Sequence, residues 1–180
     1  MGKKLALSDL ADPDRRLVFE AQKVSEHAYA PYSGFAVGAA VRTRRRKIYT
    51  GANLENAAYG VTMCAEVAAL TLANSAGDFD VEAIAVVGHK FKDAPDASQV
   101  VTPCGRCRQL ITEAAQLAQR PELRVICCNG ELTDIVEFPI SELLPEAFGP
   151  HNLGLVDRWP ILRDELQARV RQLIGLRSRA

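Results

Sequence analysis

The chain of 180 residues has no net charge, because 22 Lys and Arg are balanced by 22 Asp and Glu. A neutral chain has no overall attraction to nucleic acid or to anionic lipid, so neither is expected as a partner. Apolar runs such as residues 83–88 are far shorter than the roughly 20 residues of a membrane-spanning helix. Acidic residues follow soon after the basic residues 3–4 and interrupt any apolar signal core. We therefore expect a soluble, cytoplasmic protein with no membrane partner.

Internal repeats, low-complexity tracts and Gly/Ser linkers are also absent from the sequence. Its length is typical of about one domain, and 48% hydrophobic residues suffice for a core. We assign residues 1–153 to this domain and residues 154–180 to a C-terminal helical extension. The extension combines apolar residues at helical spacing with an excess of arginine. This pattern favours docking of the helix on the body or on a neighbouring subunit over binding to an anionic surface.

A disulfide framework is not expected either. Five cysteines are an odd number, and nothing in the sequence indicates secretion. Cys127 and Cys128 are adjacent at the end of a predicted strand, where one side chain should face inward and the other outward. We interpret both as packing residues. Cys64, Cys104 and Cys107 remain as candidates for chemistry.

The pattern of apolar residues predicts helices alternating with strands. Asp12 can cap the first helix and Pro13 suits its first turn, while Asn129-Gly130 is typical of a hairpin turn. The predicted elements are a helix at 12–30, a hairpin at 35–53, a helix at 64–76, a strand at 81–88, a helix ending near 120 and a hairpin at 123–138. This order predicts an α/β fold, a three-layer α/β/α sandwich around a mixed sheet of about five strands.

Cys104 and Cys107 form a C-x-x-C pair, which brings two sulfur atoms to one metal ion but is also found in redox motifs. Cys64 stands at the start of an earlier helix, and helix N-termini favour thiolates. Three thiolates without an evident fourth ligand are typical of an open, catalytic zinc site. A purely structural zinc site is the alternative. Such sites usually consist of two close pairs, whereas here one pair joins a cysteine 40 positions upstream.

Glu66 lies two residues after Cys64, close to the predicted metal without needing to bind it. A carboxylate in that place can take a proton from water and return it to a nitrogen atom of a substrate. Base deaminases combine three zinc ligands with a glutamate of this kind.

Five blocks of sequence resemble the small, homotetrameric, zinc-dependent cytidine deaminases and follow that family's order. The blocks are PYSGFAVGAA at 31–40, GANLENAAY at 51–59, CAE at 64–66, PCGRCRQ at 103–109 and ELLPEAFGP at 142–150. Five ordered blocks are far more specific than a single motif. The resemblance implies the cytidine deaminase fold and hydrolytic deamination of cytidine and deoxycytidine to uridine and deoxyuridine. Ammonia would be released, as a step of pyrimidine salvage.

The resemblance also implies roles for individual residues. Zn²⁺ would be held by Cys64, Cys104 and Cys107, and Glu66 would be the catalytic residue. The implied substrate-binding residues are Phe35 on the pyrimidine ring, Asn53 and Glu55 on the ribose, Ala65, and Phe148, which in this family often reaches the site of a neighbouring subunit. The family's tetramers build their sites at subunit interfaces, which would also involve Tyr32 and Tyr59.

One position departs from the family. Val67 stands where the family usually has an arginine that donates hydrogen bonds to the thiolates. Arg106 or Arg108 could supply the missing positive charge. The departure keeps two alternatives open: a deaminase of a modified cytosine nucleoside such as a nucleoside antibiotic, or a catalytically idle nucleoside-binding or scaffold protein. Nucleic-acid editing is less favoured, because Asn53 and Glu55 suit a free ribose.

Overall fold

The computed structural model describes residues 2–91 and 99–177, so the last three residues of the predicted extension lie outside the described residues. The described strands are β1 (Lys3–Leu5), β2 (Phe35–Thr43), β3 (Ile48–Ala52), β4 (Val81–Lys90), β5 (Arg124–Asn129) and β6 (Ile135–Pro139). They form one sheet in the order β1-β6-β5-β4-β2-β3. The β4–β5 pair is parallel and the other neighbours are antiparallel. The predicted mixed sheet is confirmed, with β1 as an additional strand.

Helices cover both faces of this sheet. The described α-helices are α1 (Asp12–Val24), α2 (Ala65–Ser75), α3 (Gly105–Leu117), α4 (Ile140–Leu143) and α5 (Trp159–Arg177). Leu17, Val18 and Ala21 of α1 pack on one face, in a cluster that includes Ala85 and Ile126. Residues of α2, α3 and α4 pack on the other face, where the cluster includes Leu70, Ile111, Ile140, Ile84 and Val125. The three-layer prediction is therefore confirmed.

Cys127 and Cys128 occupy consecutive positions on β5 and point to opposite layers. Cys127 belongs to the cluster beneath α2 and α3, and Cys128 to the cluster beneath α1. Both side chains are fully buried. Their packing role is confirmed, but the prediction that one of them faces outward is wrong, because helices cover both faces of the strand.

The topology places the starts of α2 and α3 at the same edge of the sheet. β2 is antiparallel to both β3 and β4, so β3, β4 and β5 share one direction. Helix α2 follows β3 and α3 follows β4, so both helices begin near the carboxyl ends of these strands. A Cβ atom at Gly51 of β3 would lie 2.7 Å from the Ala65 carbonyl oxygen. The start of α2 can approach β3 this closely only because residue 51 is glycine.

The first helix is shorter than the predicted range of 12–30. It ends at Val24 and continues as a 3-10 turn, Ser25–His27. The backbone N–H of Tyr29 donates to the Asn53 carbonyl at 3.0 Å, and the Tyr29 carbonyl accepts from the N–H of Glu55 at 2.8 Å. Tyr29 is therefore held in an extended bridge, which prevents the helix from reaching it.

A buried ion network lies at the opposite edge of the sheet. Arg42 Nη1 donates to Asp14 Oδ1 at 2.7 Å, and Arg124 Nη2 donates to Asp14 Oδ2 at 2.8 Å. Arg42 also contacts Glu82 at 3.3 Å, and Arg124 pairs with Glu137. Burial alone raises the pKa of the Asp14 carboxyl, but the two arginines outweigh it and lower the pKa below its ordinary value. Asp14 is therefore a charged, fully paired group.

The helix predicted at about residues 160–176 is present as α5. Trp159 and Leu162 are half-buried, whereas residues 163–175 are all exposed. Among the described residues, no helix combines the length and apolarity that crossing a membrane requires.

Candidate metal centre and active site

The three cysteines singled out in the sequence meet at the shared edge. Cys64 is the N-cap residue of α2, Cys104 is the N-cap residue of α3, and Cys107 lies in the first turn of α3. The sulfur atoms of Cys64 and Cys104 are 3.9 Å apart, and those of Cys104 and Cys107 are 3.5 Å apart. All three sulfur atoms lie within 4.8 Å of one another. Two helix N-termini, each with unpaired N–H groups, therefore converge on one cluster of thiols.

These distances match the geometry of a tetrahedral zinc site. Zn–S bonds of about 2.3 Å at tetrahedral angles require sulfur atoms about 3.8 Å apart. Among the described residues, no His, Asp or Glu side chain joins the group of three cysteines. Cys107 is buried and Cys104 is exposed, so the cluster can be reached from one side. The three thiols thus suit a zinc ion with one position left open.

The charges of the thiols also fit a cation. The hydrogen bond with Cys107 is the main cause that lowers the pKa of the Cys64 thiol to about 6, with further lowering by Cys104 and Arg106 against the effect of burial. The pKa of the Cys107 thiol is raised, first by this bond to Cys64 and then by burial. One thiolate therefore forms readily and a second is resisted. A divalent ion removes that conflict, because it stabilises several thiolates at once.

Glu66 lies in the first turn of α2, close enough to Cys64 and Cys107 to interact with both, and is only 4% exposed. Burial raises the pKa of the Glu66 carboxyl, and the negative charge of Cys64 raises it further. Such a carboxyl can hold a proton at higher pH than an exposed glutamate can, which is the property of a proton shuttle.

Arg106 is the arginine next to the thiols, and Val67 is a buried part of α2. The Arg106 Nη1 atom donates to the Thr62 carbonyl at 3.2 Å, and its Nη2 atom lies 3.9 Å from the Met63 sulfur. Its positive charge contributes to the lowered pKa of Cys64. Arg108 instead donates to the carbonyls of Pro103 and Leu143 and so holds the start of α3 in place. Val67 occupies the position at which the family usually has an arginine. Of Arg106 and Arg108, Arg106 is therefore better placed to supply the missing positive charge beside the thiols.

Asn53 and Phe35 are held together where β2 and β3 meet. The Asn53 Oδ1 atom accepts from the N–H of Val37 at 2.9 Å, and its Nδ2 atom donates to the Phe35 carbonyl at 3.0 Å. The Phe35 ring lies over Gly88 of β4, where an added Cβ atom would be only 2.8 Å from the ring. The amide of Asn53 therefore fixes the strand that carries the aromatic ring.

Glu55 lines a cavity of about 320 Å³ together with Tyr32, Ser33, Tyr59 and Thr62. Its Oε2 atom accepts from the N–H of Tyr32 at 2.9 Å and from that of Ser33 at 3.2 Å. Hydrogen bonds from Ser33, opposed by partial desolvation, lower the pKa of the Glu55 carboxyl. Glu55 is thus an anchored carboxylate, and both backbone N–H groups donate to the same oxygen, Oε2.

Ala65 and Phe148 are placed differently from each other. The Ala65 side chain is fully buried in the core beneath α2, so only its backbone could meet a substrate. The Phe148 side chain is 65% exposed, while its carbonyl accepts from Gln109 Nε2 of α3 at 2.8 Å. The structure therefore brings the three cysteines and Glu66 together, and it leaves the Phe148 ring at the surface. The contacts of Arg106 with Thr62 and Met63, and of Gln109 with Phe148, have no signal in the sequence pattern.

The fold and the cluster of three thiols with a buried glutamate define the class of zinc-dependent deaminases. The family model described as "Cytidine and deoxycytidylate deaminase zinc-binding region" matches residues 11–119. A cytidine deaminase of Halalkalibacterium halodurans is 45% identical over 139 residues, which are 77% of this chain and 96% of that protein. The crystal structure of a cytidine deaminase from Burkholderia pseudomallei is 38% identical, with a TM-score of 0.66, and covers 77% of this chain and 100% of its own. The chain belongs to the cytidine and deoxycytidylate deaminase family.

A third relative concerns a different substrate. A blasticidin-S deaminase of Bacillus cereus is 40% identical over 111 residues, which are 61% of this chain and 74% of that protein. The chain is therefore also similar to a protein named for a substrate other than cytidine.

Proposed function

We propose that this protein removes the amino group of cytidine and deoxycytidine by hydrolysis. The products are uridine or deoxyuridine and ammonia, and the reaction serves pyrimidine salvage. The convergence of Cys64, Cys104 and Cys107 in front of the buried Glu66 is the observation that carries this proposal. Membership of the deaminase family supports it, as does the identity with the cytidine deaminase of Halalkalibacterium halodurans.

Glu66 moves the protons of the proposed reaction. Zinc, when held by the three cysteines, supplies the Lewis acidity that makes water nucleophilic near neutral pH. The Glu66 carboxylate accepts a first proton from the attacking water and passes it to the ring N3 of cytosine. It then accepts the second proton, from the hydroxyl newly bonded to C4, and passes it to the leaving amine, so that ammonia departs as the C4 carbonyl forms. Burial suits Glu66 to this exchange, because its raised pKa brings the carboxyl closer to the working pH.

Residues beside the metal centre bind the nucleoside in this proposal. Glu55 is already fixed by backbone N–H groups, so its second oxygen can accept a charge-assisted hydrogen bond from a ribose hydroxyl. The second N–H of the Asn53 amide can donate to the ribose, and the Phe35 ring can stack on the pyrimidine. The Ala65 backbone would border the base, and Phe148 would close the site of a neighbouring subunit.

A homo-oligomer, specifically a tetramer, completes the proposal. Tyr59 is 74% exposed, Val61 65% and Tyr32 49%, and the rings of Tyr32 and Tyr59 are in edge-to-face contact beside Glu55. Large apolar side chains grouped at a surface are typical of an interaction site. We assign residues 1–153 to the catalytic domain and the protein to the cytoplasm, with free nucleosides rather than nucleic acid as its ligands.

Metal analysis coupled to an ammonia-release assay tests the proposed function. The purified protein should contain about one zinc per chain and should deaminate cytidine and deoxycytidine much faster than free cytosine, which lacks the sugar that Glu55 and Asn53 would bind. A zinc-loaded protein that releases no ammonia from any cytosine nucleoside would instead support the idle scaffold.

A modified cytosine nucleoside is the second candidate substrate. The replacement of the family arginine by Val67 and the blasticidin-S deaminase relative favour it. Measurement of kcat/KM for cytidine and for blasticidin S on one preparation separates the two candidates. If kcat/KM for cytidine exceeds that for blasticidin S, cytidine is the preferred substrate. If kcat/KM for cytidine is far lower, the antibiotic is the preferred substrate.

A further inference from the structure

The apolar side of α5 is largely exposed within the described chain, and only its start borders the body, where Leu166 lines a cavity. Leu166, Val170 and Leu173 are each 52% exposed, although they are large apolar residues of a regular helix. A cavity of about 370 Å³, lined by Phe79, Leu117 and Trp159 among others, lies between the first turns of α5 and the body. Most of the stability of a helix in a protein comes from packing of one face, and α5 has little such packing on the described body.

Three exposed apolar residues of α5, Leu166, Val170 and Leu173, form a stripe with the half-buried Leu162, whereas the exposed Ile161 and Ile174 lie outside it. At 3.6 residues per turn, Leu162, Leu166, Val170 and Leu173 fall within an arc of about 80° on the helix surface. Ala168 lies on the opposite side of the helix. A stripe of this width suits packing against a second helix rather than against a broad surface.

The charges along the edge of the stripe are self-complementary. Glu165 and Arg169 are one turn apart on the same edge, and neither takes part in an ion pair within the part of the chain that the structure describes. In an antiparallel pair of identical helices, the same edge of each helix faces its copy. Glu165 of one helix would then face Arg169 of the other, and Arg169 would face Glu165.

We propose that α5 is an association helix that pairs with α5 of a second copy of this chain, antiparallel about a two-fold axis. Leu166 then faces Val170 of the second copy, and Leu162 faces Leu173. Two symmetric Glu165–Arg169 ion pairs border this apolar contact. The pairing is isologous, so it closes on itself and does not propagate into filaments. It does not depend on the proposed activity, since α5 contributes no residue to the metal centre.

Sedimentation velocity of the full chain over a dilution series tests this pairing. The double substitution Leu166→Glu with Val170→Glu places carboxylates in the apolar contact, whereas Ala168→Glu adds the same group on the opposite side as a matched control. The wild type and the control should remain associated at concentrations at least tenfold lower than the double variant. Equal dissociation of all three proteins overturns the proposal. Unchanged zinc content and cytidine turnover in every variant separate this result from a failure of the proposed function.

Two charge reversals test the antiparallel geometry. Glu165→Arg alone and Arg169→Glu alone each oppose like charges across the axis, so each protein should associate more weakly than the wild type. An equimolar mixture of the two restores both attractive pairs and should associate as strongly as the wild type. Because each chain of the mixture still has like charges within its own helix, recovery can only come from contact between chains. A mixture as weak as its components overturns the proposal.

Phosphatidylserine vesicles provide the remaining test, because a helix rich in arginine could bind an anionic surface instead. Paired α5 helices bury their apolar residues, so flotation should find no more of the wild type with the vesicles than of the Leu166→Glu, Val170→Glu variant. Binding of the wild type alone, without an effect of the variant on self-association, overturns the proposal in favour of a membrane surface.

Discussion

Two buried carboxyl groups at opposite edges of the sheet have pKa values shifted in opposite directions. Asp14 contacts two arginines at 2.7 and 2.8 Å, and the pKa of its carboxyl is lowered. Glu66 is buried to a similar degree but faces thiols, and the pKa of its carboxyl is raised. Burial acts on both groups, and only the neighbours differ. The edge with paired charges therefore maintains the fold, whereas the edge with unmatched charge performs the proposed chemistry.

Removal of the Glu66 carboxylate should have the largest effect. Glu66→Gln keeps the shape of the side chain but cannot shuttle protons, so cytidine turnover should fall by roughly 10²–10⁴-fold. The free energy of unfolding should not fall, because a buried group with a raised pKa is not a stabilising charge. Steady-state kinetics, urea unfolding and zinc analysis check this prediction. A variant that keeps its turnover would contradict the role of Glu66.

Loss of the Asp14 carboxylate should lower the stability of the fold and leave turnover unchanged, the reverse of the outcome expected for Glu66. Asp14→Asn leaves Arg42 without its closest partner in a buried position, which should cost about 3 kcal/mol of stability. Turnover of the folded fraction should stay unchanged. Asp12→Asn is the matched control, because its ion pair with Arg15 is on the surface and worth at most about 1 kcal/mol. Urea unfolding that gives equal values for both variants would remove the distinction between the two edges.

Arg106 provides the positive charge among the causes that shift the pKa of Cys64. Arg106→Ala removes a positive charge that favours the Cys64 thiolate, so zinc affinity should fall by about tenfold. Arg106→Lys keeps the charge and should lose much less. Competition with a chromogenic chelator gives both values. Equal zinc affinity of Arg106→Ala and the wild type would show that the thiols do not need this charge.

The smallest expected effect is a change with pH in the difference in stability between the wild type and Asp14→Asn. The folded-state pKa of Asp14 is lowered, so its contribution is complete above the unfolded value of about 3.9 and is lost as the pH falls through the folded pKa. The stability gap between the wild type and Asp14→Asn should therefore be constant at neutral pH and shrink in acid. Urea unfolding over a pH series checks it, and a gap that persists unchanged in strong acid would rule out ionisation as its origin.

The metal centre could be predicted from the sequence because each of its parts has a local signal. The C-x-x-C spacing, the start of a helix at Cys64 and the adjacent Glu66 all lie within short segments, and the apolar runs predict the sheet that brings the segments together. The ion network has no such signal. Asp14, Arg42 and Arg124 are far apart in the chain, and only the register of β2 and β5 places them side by side.

Short-range patterns also miss features that depend on tertiary contacts. β1 has three residues, too few for a recognisable alternation, and it forms because β6 offers an edge for pairing. The end of α1 is decided by the bridge between Tyr29 and the loop that begins at Asn53, not by a helix-breaking residue at position 24. In the same way, the hydrogen bonds of the Asn53 amide with the backbone of Phe35 and Val37 could not be predicted from the place of Asn53 in a motif.

The consecutive buried thiols of β5 make this strand a natural reporter of local opening. Cys127 reacts with an alkylating reagent only when the layer of α2 and α3 lifts from the sheet, and Cys128 only when α1 does. The labelling rates of the two thiols, resolved by peptide mass analysis, would show which helical layer opens more readily. No engineered probe is needed for that measurement, because the chain already carries one thiol for each side.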